Sequence, residues 1–172
     1  MNLINKFPRL ESFFPINDKR FVVIDTETTG SNRINDSIKE ISAIEVVNGK
    51  INKKSLRYYE LEPKNVNGGN NSSDLLLNIT KKEIKDKYSN NSLTEDERIK
   101  DIHNFIGEDI VVAHNVGFDF DMLNQEFEYR KLKKLPPTQF ACTMQAFKRL
   151  LNINDSNLSL CCSVFNIEIN SK

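Results

Sequence analysis

The amino-acid sequence predicts a mixed α/β domain in which helices cover a single β-sheet. Two short apolar runs, 21–24 and 110–113, have the composition of strands buried on both faces, which is typical of parallel pairing. Asn48-Gly49 follows a third apolar run and favours a tight hairpin, which requires antiparallel pairing. Helical periodicity fills much of the second half. The sheet must therefore be mixed, with helices linking its parallel strands.

The length and composition allow one domain. The chain has 172 residues, of which 38% are apolar and 28% charged, enough for one compact core and too few for two ordinary domains. We expect an N-terminal lead-in at 1–20 and the domain at 21–172. Phe7, Leu10, Phe13 and Phe14 recur at helical spacing in the lead-in. We expect them to pack on the domain, and a partner-docking peptide is the alternative.

The strands come first along the chain. The strand at 21–24 ends in the polar sequence DTETTGSNRIND, and a second strand spans 38–47. Asn48-Gly49 is the usual pair for a two-residue type I′ turn, so a partner strand is expected at roughly 50–61. The low-complexity sequence NVNGGNNSS at 65–73 predicts a surface loop.

Helix signals dominate the rest of the chain. Thr94 and Glu97 form a capping-box pattern, and Gly107 is a typical helix stop. Further elements are expected in this order: a short helix at 79–87, a helix from Thr94 to Gly107, the strand at 110–113, a helix at 118–132, a short strand near Phe140, and helices at 143–151 and 156–166.

The charge balance limits the classes of partner. Lys plus Arg and Asp plus Glu both number 24, so nucleic-acid binding has to be local, in a cleft. Three cysteines, two of them adjacent, do not form a disulfide framework and favour a reducing, cytoplasmic location. No apolar run approaches the roughly 18 residues of a membrane span, so we expect no membrane partner and no secretory signal.

The sharpest chemical feature is Asp25-Thr26-Glu27 at the end of the first strand. Residues two apart in a strand share a face, so both carboxylates project together, and such oxygen ligands suit Mg²⁺ or Mn²⁺. The alternative is a surface strand end with two solvated acids. Thr28-Thr29-Gly30 follows, with hydroxyl and backbone N–H groups that can meet a phosphate or sugar.

A second acid follows the other buried strand. Asp119, within AHNVGFD, falls in the first turn of the next helix, where the helix dipole favours a carboxylate that can point back to the sheet edge. Asp25, Glu27 and Asp119 would then lie at the ends of two strands. The sequence predicts a divalent-metal site there.

Four segments together resemble a known family: FVVIDTETTG, SIKEISAIEV, IVVAHNVGFDFDML and CTMQAFKRLL. They look like successive blocks of the DEDD-type 3′→5′ exonucleases, in the DnaQ-like (DEDDh) branch that includes proofreading epsilon subunits of bacterial DNA polymerase III. The resemblance covers about 21–167. It implies a ribonuclease H-like fold, with a five-stranded mixed sheet of order 3-2-1-4-5 flanked by helices.

The resemblance also implies an activity. It indicates metal-dependent release of nucleotides from the 3′ end of single-stranded DNA, with RNA as the less favoured substrate, in replication proofreading or repair, with a DNA polymerase or other replication protein as partner. Two ions, Mg²⁺ or Mn²⁺, would act together. Asp25 would bridge both, Glu27 would bind one and Asp119 the other. The resemblance further implies that substrate would be contacted by Thr28, Thr29, Gly30, His114, Asn115 and Phe118.

The sequence departs from the family pattern after the last block. The family supplies a fourth acid and a general-base histidine there, as H-x-x-x-x-D on one more helix, and no His follows His114 here. Asp121 would point about 200° away from Asp119 around its helix, and Asp155 precedes the last helix. Three interpretations stay open: a fragment of an ordinary exonuclease, a degenerate relative that serves as a nucleic-acid-binding or polymerase-accessory module, or a site completed by a second chain.

The remaining candidates favour structural roles. His114 is expected to fix the loop that carries Asp119, with a surrogate base or a ligand as the alternative, and His103 is expected to be a partly buried core residue. The cysteines lack the spacing of a zinc site. A basic run is interpreted as a solvated face that compensates a helix dipole, or as a phosphate track: Arg130, Lys131, Lys133 and Lys134.

Overall fold

A computed structural model describes residues 20–33, 35–62 and 92–167. The strands are β1 (Arg20–Thr28), β2 (Ile38–Val47), β3 (Lys50–Ile51), β4 (Arg57–Glu60), β5 (Ile110–Ala113) and β6 (Phe140–Cys142). The α-helices of the described residues are α1 (Glu95–Ile106), α2 (Gly117–Tyr129), α3 (Thr143–Leu151) and α4 (Leu158–Val164). None of the helices in these ranges has the length and apolar character that crossing a membrane requires.

The strands form one mixed sheet in the order β3-β2-β1-β5-β6, with β4 also paired to β2. β1 is antiparallel to β2 and parallel to β5, and β5 is parallel to β6. The predicted mixed sheet is confirmed, with the acidic-motif strand in the centre. Because β3 and β4 occupy one position beside β2, counting them as one strand gives the predicted order 3-2-1-4-5.

The hairpin after β2 is confirmed, but its second strand is not continuous. Asn48 and Gly49 both have positive φ, 51° and 72°, as a type I′ turn requires. The strand predicted at 50–61 is broken by a 3₁₀ turn at Lys53–Ser55. The Ser55 hydroxyl accepts the Glu45 N–H at 3.0 Å, a bond that a continuous partner strand would otherwise make. A side chain therefore replaces backbone pairing at this point.

The core lies between the sheet and helices α1 and α2. The predicted capping box is present at the start of α1, where Thr94 and Glu97 bond each other's backbone, and Gly107 ends the helix. Three isoleucines of α1 are fully buried: Ile99, Ile102 and Ile106. Main partners from the other elements are Val22, Ile24, Ile41, Val111, Met122, Leu123 and Phe127.

Two helices are shorter than predicted. α2 ends at Tyr129 and not near 132, because Lys131 adopts a left-handed φ of 58° and the Leu132 N–H turns back to Phe127 O at 2.8 Å. The last helix is Leu158–Val164 and not 156–166. The Asn157 side chain caps it by accepting the Leu160 N–H.

Three of the expected segments lie outside the described residues. They are the lead-in up to residue 19, the loop at 65–73 and the helix at 79–87.

Strand β1 is longer than its apolar run, because the acidic motif itself continues the pairing with β2 up to Thr28. The acids are therefore held on a rigid strand and not on the loop that follows.

Candidate active site

The first part of the site is the end of β1. Val22 and Ile24 are buried in the core, and strand alternation places Thr26 on their face. Asp25 and Glu27 therefore share the opposite face, as predicted, with Asp25 exposed. A register shift follows Glu27 in the pairing with β2, an irregularity of the kind often found beside active sites.

Asp119 supplies the second part, from the first turn of α2. Its side chain is only 6% exposed, and the Thr26 hydroxyl donates to Asp119 Oδ1 at 2.8 Å. The pKa of the Asp119 carboxyl is raised to about 6, mainly by burial; the charge of Asp25 acts in the same direction, and the hydrogen bond from Thr26 opposes it. The structure thus brings Asp25 and Asp119 into electrostatic contact. The hydrogen bond from Thr26 to Asp119 is not apparent from the sequence.

The donor atoms at this site are of the type that a hard divalent cation prefers, but the side chains lie too far apart in this structure to hold one together. Carboxylate oxygens from Asp25, Glu27 and Asp119 are the ligand type that Mg²⁺ and Mn²⁺ prefer. Within the described ranges, however, no group of three or more His, Cys, Asp or Glu side chains lies close enough to hold a metal ion. The three-ligand arrangement therefore stays a prediction.

The turn after β1 is organised by an acid that sequence reasoning missed. The Asp36 carboxylate accepts the Thr29 hydroxyl at 2.9 Å and the Asn32 N–H at 2.7 Å. A Cβ on Gly30 would lie 2.5 Å from Asp36 Oδ2, so only glycine fits without a shift. The Thr28 hydroxyl donates to Gly30 O at 2.7 Å. Both threonine hydroxyls predicted to meet substrate thus hold the turn in shape.

His114 is tied into the fold through both ring nitrogens. Its Nε2 lies 2.9 Å from the carbonyl oxygen of Ser156, which can only accept, so Nε2 carries a proton. Nδ1 lies 3.0 Å from the Thr143 hydroxyl. The structural interpretation is supported over a surrogate base. The partners are the start of α3 and the segment before α4, and not the Asp119 loop as expected.

Asn115 and Phe118 shape the entry into α2. Asn115 has a left-handed φ of 69°, a conformation that Asn tolerates better than most residues, and its carbonyl accepts the Phe118 N–H at 3.0 Å. The Phe118 ring packs partly on the core, and the Arg33 guanidinium lies 6.0 Å from its centroid. An aromatic ring and a guanidinium thus lie at the start of the helix that carries Asp119.

A family model for exonucleases, RNase_T, matches residues 22–172. This chain belongs to the exonuclease family. The resemblance to DEDD-type exonucleases, drawn from the sequence motifs, is confirmed.

The chain is similar to three proteins that are each longer than the region they share with it. The chain is 29% identical to DNA polymerase III PolC-type of Oceanobacillus iheyensis, over 87% of this chain and 10% of that protein. It is 29% identical to ribonuclease T of Vibrio vulnificus, over 95% and 77%. It is 29% identical to DNA polymerase III subunit epsilon of Buchnera aphidicola, over 88% and 65%. The chain thus spans a tenth of the PolC-type protein.

Solved structures confirm the fold. The nuclease domain of 3′hExo, a DEDDh family member bound to rAMP, superposes with a TM-score of 0.61 at 13% identity, over 89% of this chain and 82% of that one. The zinc-bound E. coli ExoI–ssDNA complex gives 0.60 at 16% identity, over 90% and 37%. At these identities the likeness concerns the fold alone, and it confirms the predicted ribonuclease H-like architecture.

Asp121 and Asp155, the two acids considered as a fourth ligand of this exonuclease domain, have partners other than Asp119. Asp121 is bound by Arg33 Nη1, and Asp155 accepts the backbone N–H of Asn157 at 3.3 Å. An acid that sequence analysis overlooked is Glu40, paired with Glu27 across β1 and β2. Only the strand register reveals this pairing.

The other candidate residues take structural positions. Arg130 is buried, with a side chain 6% exposed, and pairs with Glu95, Asp96 and Glu126, so a phosphate track is wrong for this residue. His103 packs edge-on against the Phe127 ring at 4.8 Å, which supports its expected place in the core. All three cysteines are free thiols.

Proposed function

We propose that this domain removes nucleotides from the 3′ end of single-stranded DNA in a metal-dependent reaction, beside a DNA polymerase during proofreading or repair. The observation that carries the proposal is the buried Asp119 carboxylate, hydrogen-bonded by Thr26 and close enough to Asp25 to feel its charge. The relatives that are polymerase III proteins support the polymerase partner, and the fold shared with an ExoI–ssDNA complex supports the substrate.

Asp25, Glu27 and Asp119 would hold Mg²⁺ or Mn²⁺. The mutual repulsion of Asp25 and Asp119 favours this, because a divalent cation beside both carboxylates would offset the cost of ionising the buried one. When bound, such ions activate a water molecule and stabilise the leaving oxygen of an in-line displacement at phosphorus. Thr26 keeps the Asp119 carboxylate oriented towards β1.

The residues around the acids would position the terminal nucleotide. The turn at Thr28, Thr29 and Gly30 is already ordered by Asp36, so its backbone can meet a sugar or phosphate with little loss of entropy. Phe118 offers an aromatic face to a base, since stacking on aromatic side chains is a common way to hold single strands. Asn115 fixes the backbone that presents this ring.

Digestion of 5′-labelled single strands of DNA and RNA tests the proposal. With Mn²⁺ we expect slow shortening from the 3′ end, faster for DNA, and none with EDTA. Asp25→Asn and Glu27→Gln should abolish it. Glu108→Gln is the matched control, because Glu108 is exposed and precedes β5 at the opposite end from the site. Shortening that survives both substitutions would refute the assigned ligands.

One observation favours a second candidate, a non-catalytic module that binds nucleic acid or a polymerase. Over the described part of the chain, no three acids form a metal cluster, and Asp121 and Asp155 are engaged elsewhere. Such a module would bind a single strand in the presence of Mn²⁺ without shortening it. Binding without cleavage, for both DNA and RNA, would select this candidate.

A further inference from the structure

A groove of about 520 Å³ lies on the flank of α2, the helix that carries Asp119. One wall is Arg33, from the turn after the acidic motif, and another is Asp121, two residues beyond Asp119. Phe120 and Lys134 also line the groove. Its volume lies within the usual range for ligand pockets.

Two basic side chains line the groove, and each is paired with one carboxylate. Arg33 Nη1 donates to Asp121 Oδ2, and Lys134 Nζ lies 2.7 Å from Glu128 Oε2. All four side chains are more than a third exposed, from 36% for Asp121 to 66% for Glu128. Exposed ion pairs of this kind contribute little to stability, so separating them costs little. The two carboxylates therefore occupy places that an incoming phosphate can take.

Arg33 also connects the groove to the candidate site. Its guanidinium lies 6.0 Å from the centroid of the Phe118 ring, which precedes Asp119 in the sequence. A guanidinium can stack on an aromatic or base plane and can bind a phosphate with two parallel hydrogen bonds. A strand whose last base lies at Phe118 would thus bring the next phosphate towards Arg33.

We propose that this groove binds the phosphodiester backbone immediately 5′ of the terminal nucleotide, with Arg33 as its principal phosphate ligand. This inference rests on the proposed function and adds the path of the strand. The Asp121 and Glu128 carboxylates hold the Arg33 and Lys134 side chains in place until a phosphate displaces the carboxylates. Arg33 is then a positioning residue for longer substrates, with no contact to the reacting atoms.

Binding measurements on the full chain with Mn²⁺ test the path. The probes are dTMP and a labelled thymidine tetranucleotide whose linkages are phosphorothioates, so that it is not cut. Arg33→Gln should weaken tetranucleotide binding about tenfold, as expected for loss of a charge-assisted hydrogen bond, and leave dTMP binding unchanged. It should also lower the salt slope of binding by about 0.7. Arg33→Lys should recover part of the affinity.

Two further variants separate a phosphate ligand from a structural ion pair. Asp121→Asn breaks the same pair but leaves the cation, so tetranucleotide binding should stay equal or tighten. Arg149→Gln removes an exposed arginine from α3 and should change nothing. If Arg33→Gln and Asp121→Asn weaken binding equally, the pair is structural and the inference is wrong.

The remaining outcomes also decide. Unchanged tetranucleotide binding in Arg33→Gln would overturn the inference and leave the proposed function intact. Equal weakening of dTMP and tetranucleotide would place Arg33 at the terminal nucleotide, which also overturns it. Absence of Mn²⁺-dependent binding of either probe to the unaltered chain would refute the proposed function and this inference together.

Discussion

Asp119 is an acid in a position that water scarcely reaches. Burial raises the pKa of its carboxyl from 3.8 to about 6, and the nearby charge of Asp25 acts in the same direction. Because the folded-state pKa lies above the unfolded one, the stability linked to this group is complete below about pH 4 and is lost as pH rises through 6. The metal-free domain therefore has a strained acid at neutral pH.

Asp119→Asn should relieve this strain. We expect the variant to melt at a higher temperature than the unaltered chain at pH 7 in EDTA, because the amide still accepts from Thr26 and carries no charge. Calorimetry between about pH 5 and pH 8 measures the difference, which should shrink towards acid pH. Mn²⁺ should raise the melting temperature of the unaltered chain and of Glu108→Gln, but not that of Asp119→Asn. An equal Mn²⁺ response in all three would exclude Asp119 as a ligand.

Gly30 is fixed by the carboxylate that folds over it. Alanine would bring its Cβ to 2.5 Å from Asp36 Oδ2, so the Asp36 hydrogen bonds to Thr29 and Asn32 would have to shift. We expect Gly30→Ala to destabilise the domain by about 1–2 kcal/mol and to weaken mononucleotide binding. Gly117→Ala is the matched control, since its Cβ would meet only Arg33 Nη2, at an ordinary 3.9 Å. Urea denaturation of both variants makes the comparison, and equal losses would contradict it.

At the level of residues, the sequence located the acids but not the groups that hold them. Asp25 and Glu27 follow from strand alternation, and Asp119 from its place in a first helical turn. Thr26 and Asp36 bond partners 93 and 7 residues away, respectively. A long-range partner leaves no local pattern in a single sequence. The short-range bonds of Asp36 were accessible in principle, as an acid close to a Thr-Gly turn.

Among the secondary-structure elements, those with strong local signals were predicted well. Asn48-Gly49 dictates its hairpin, and the Thr94–Glu97 capping box dictates the start of α1. The break between β3 and β4 and the early end of α2 were missed. The break depends on a serine hydroxyl that takes a bond from Glu45, and the helix end on a lysine in a left-handed conformation. Neither residue type signals such a role by its identity.

His114 joins three elements, so its loss should act on elements and not on chemistry. His114→Ala would remove one hydrogen-bond partner each from the Thr143 hydroxyl and the Ser156 carbonyl, at a cost of about 1–3 kcal/mol. We expect faster amide exchange in α3 and α4 and unchanged exchange in β1 and β2, measured by mass spectrometry. Thr143→Ser keeps the hydroxyl and is the control. Uniform loss of protection across the sheet would contradict a local role for His114.

For the whole molecule, the predicted architecture was correct because its strands carry their own signatures. Two apolar strands and one hairpin suffice to specify a mixed sheet with β1 in the centre, and the central position brings the ends of β1 and β5 together. What the pattern did not specify was the spacing of the carboxylates. That depends on side-chain packing over the whole site, where Thr26 engages Asp119 on the core side of β1.

We therefore expect the polypeptide of residues 1–172 to bind a metal ion and a nucleotide, but to cleave a single strand only slowly. The chain has two histidines; His103 bonds the Lys133 carbonyl, and both ring nitrogens of His114 are engaged. Neither is placed as a general base, whose absence typically lowers the rate about 10²–10⁴-fold.

We expect single-turnover digestion of a single strand with Mn²⁺ to be slow and to accelerate when imidazole is added as an external base. Fast turnover that imidazole does not change, and that Asp25→Asn abolishes, would show this expectation to be wrong. The chain would then supply both the general base and the fourth acid from its own residues. Glu40 would be the first residue to replace, because it lies across from Glu27, although its carboxylate also accepts the Tyr58 hydroxyl at 2.8 Å.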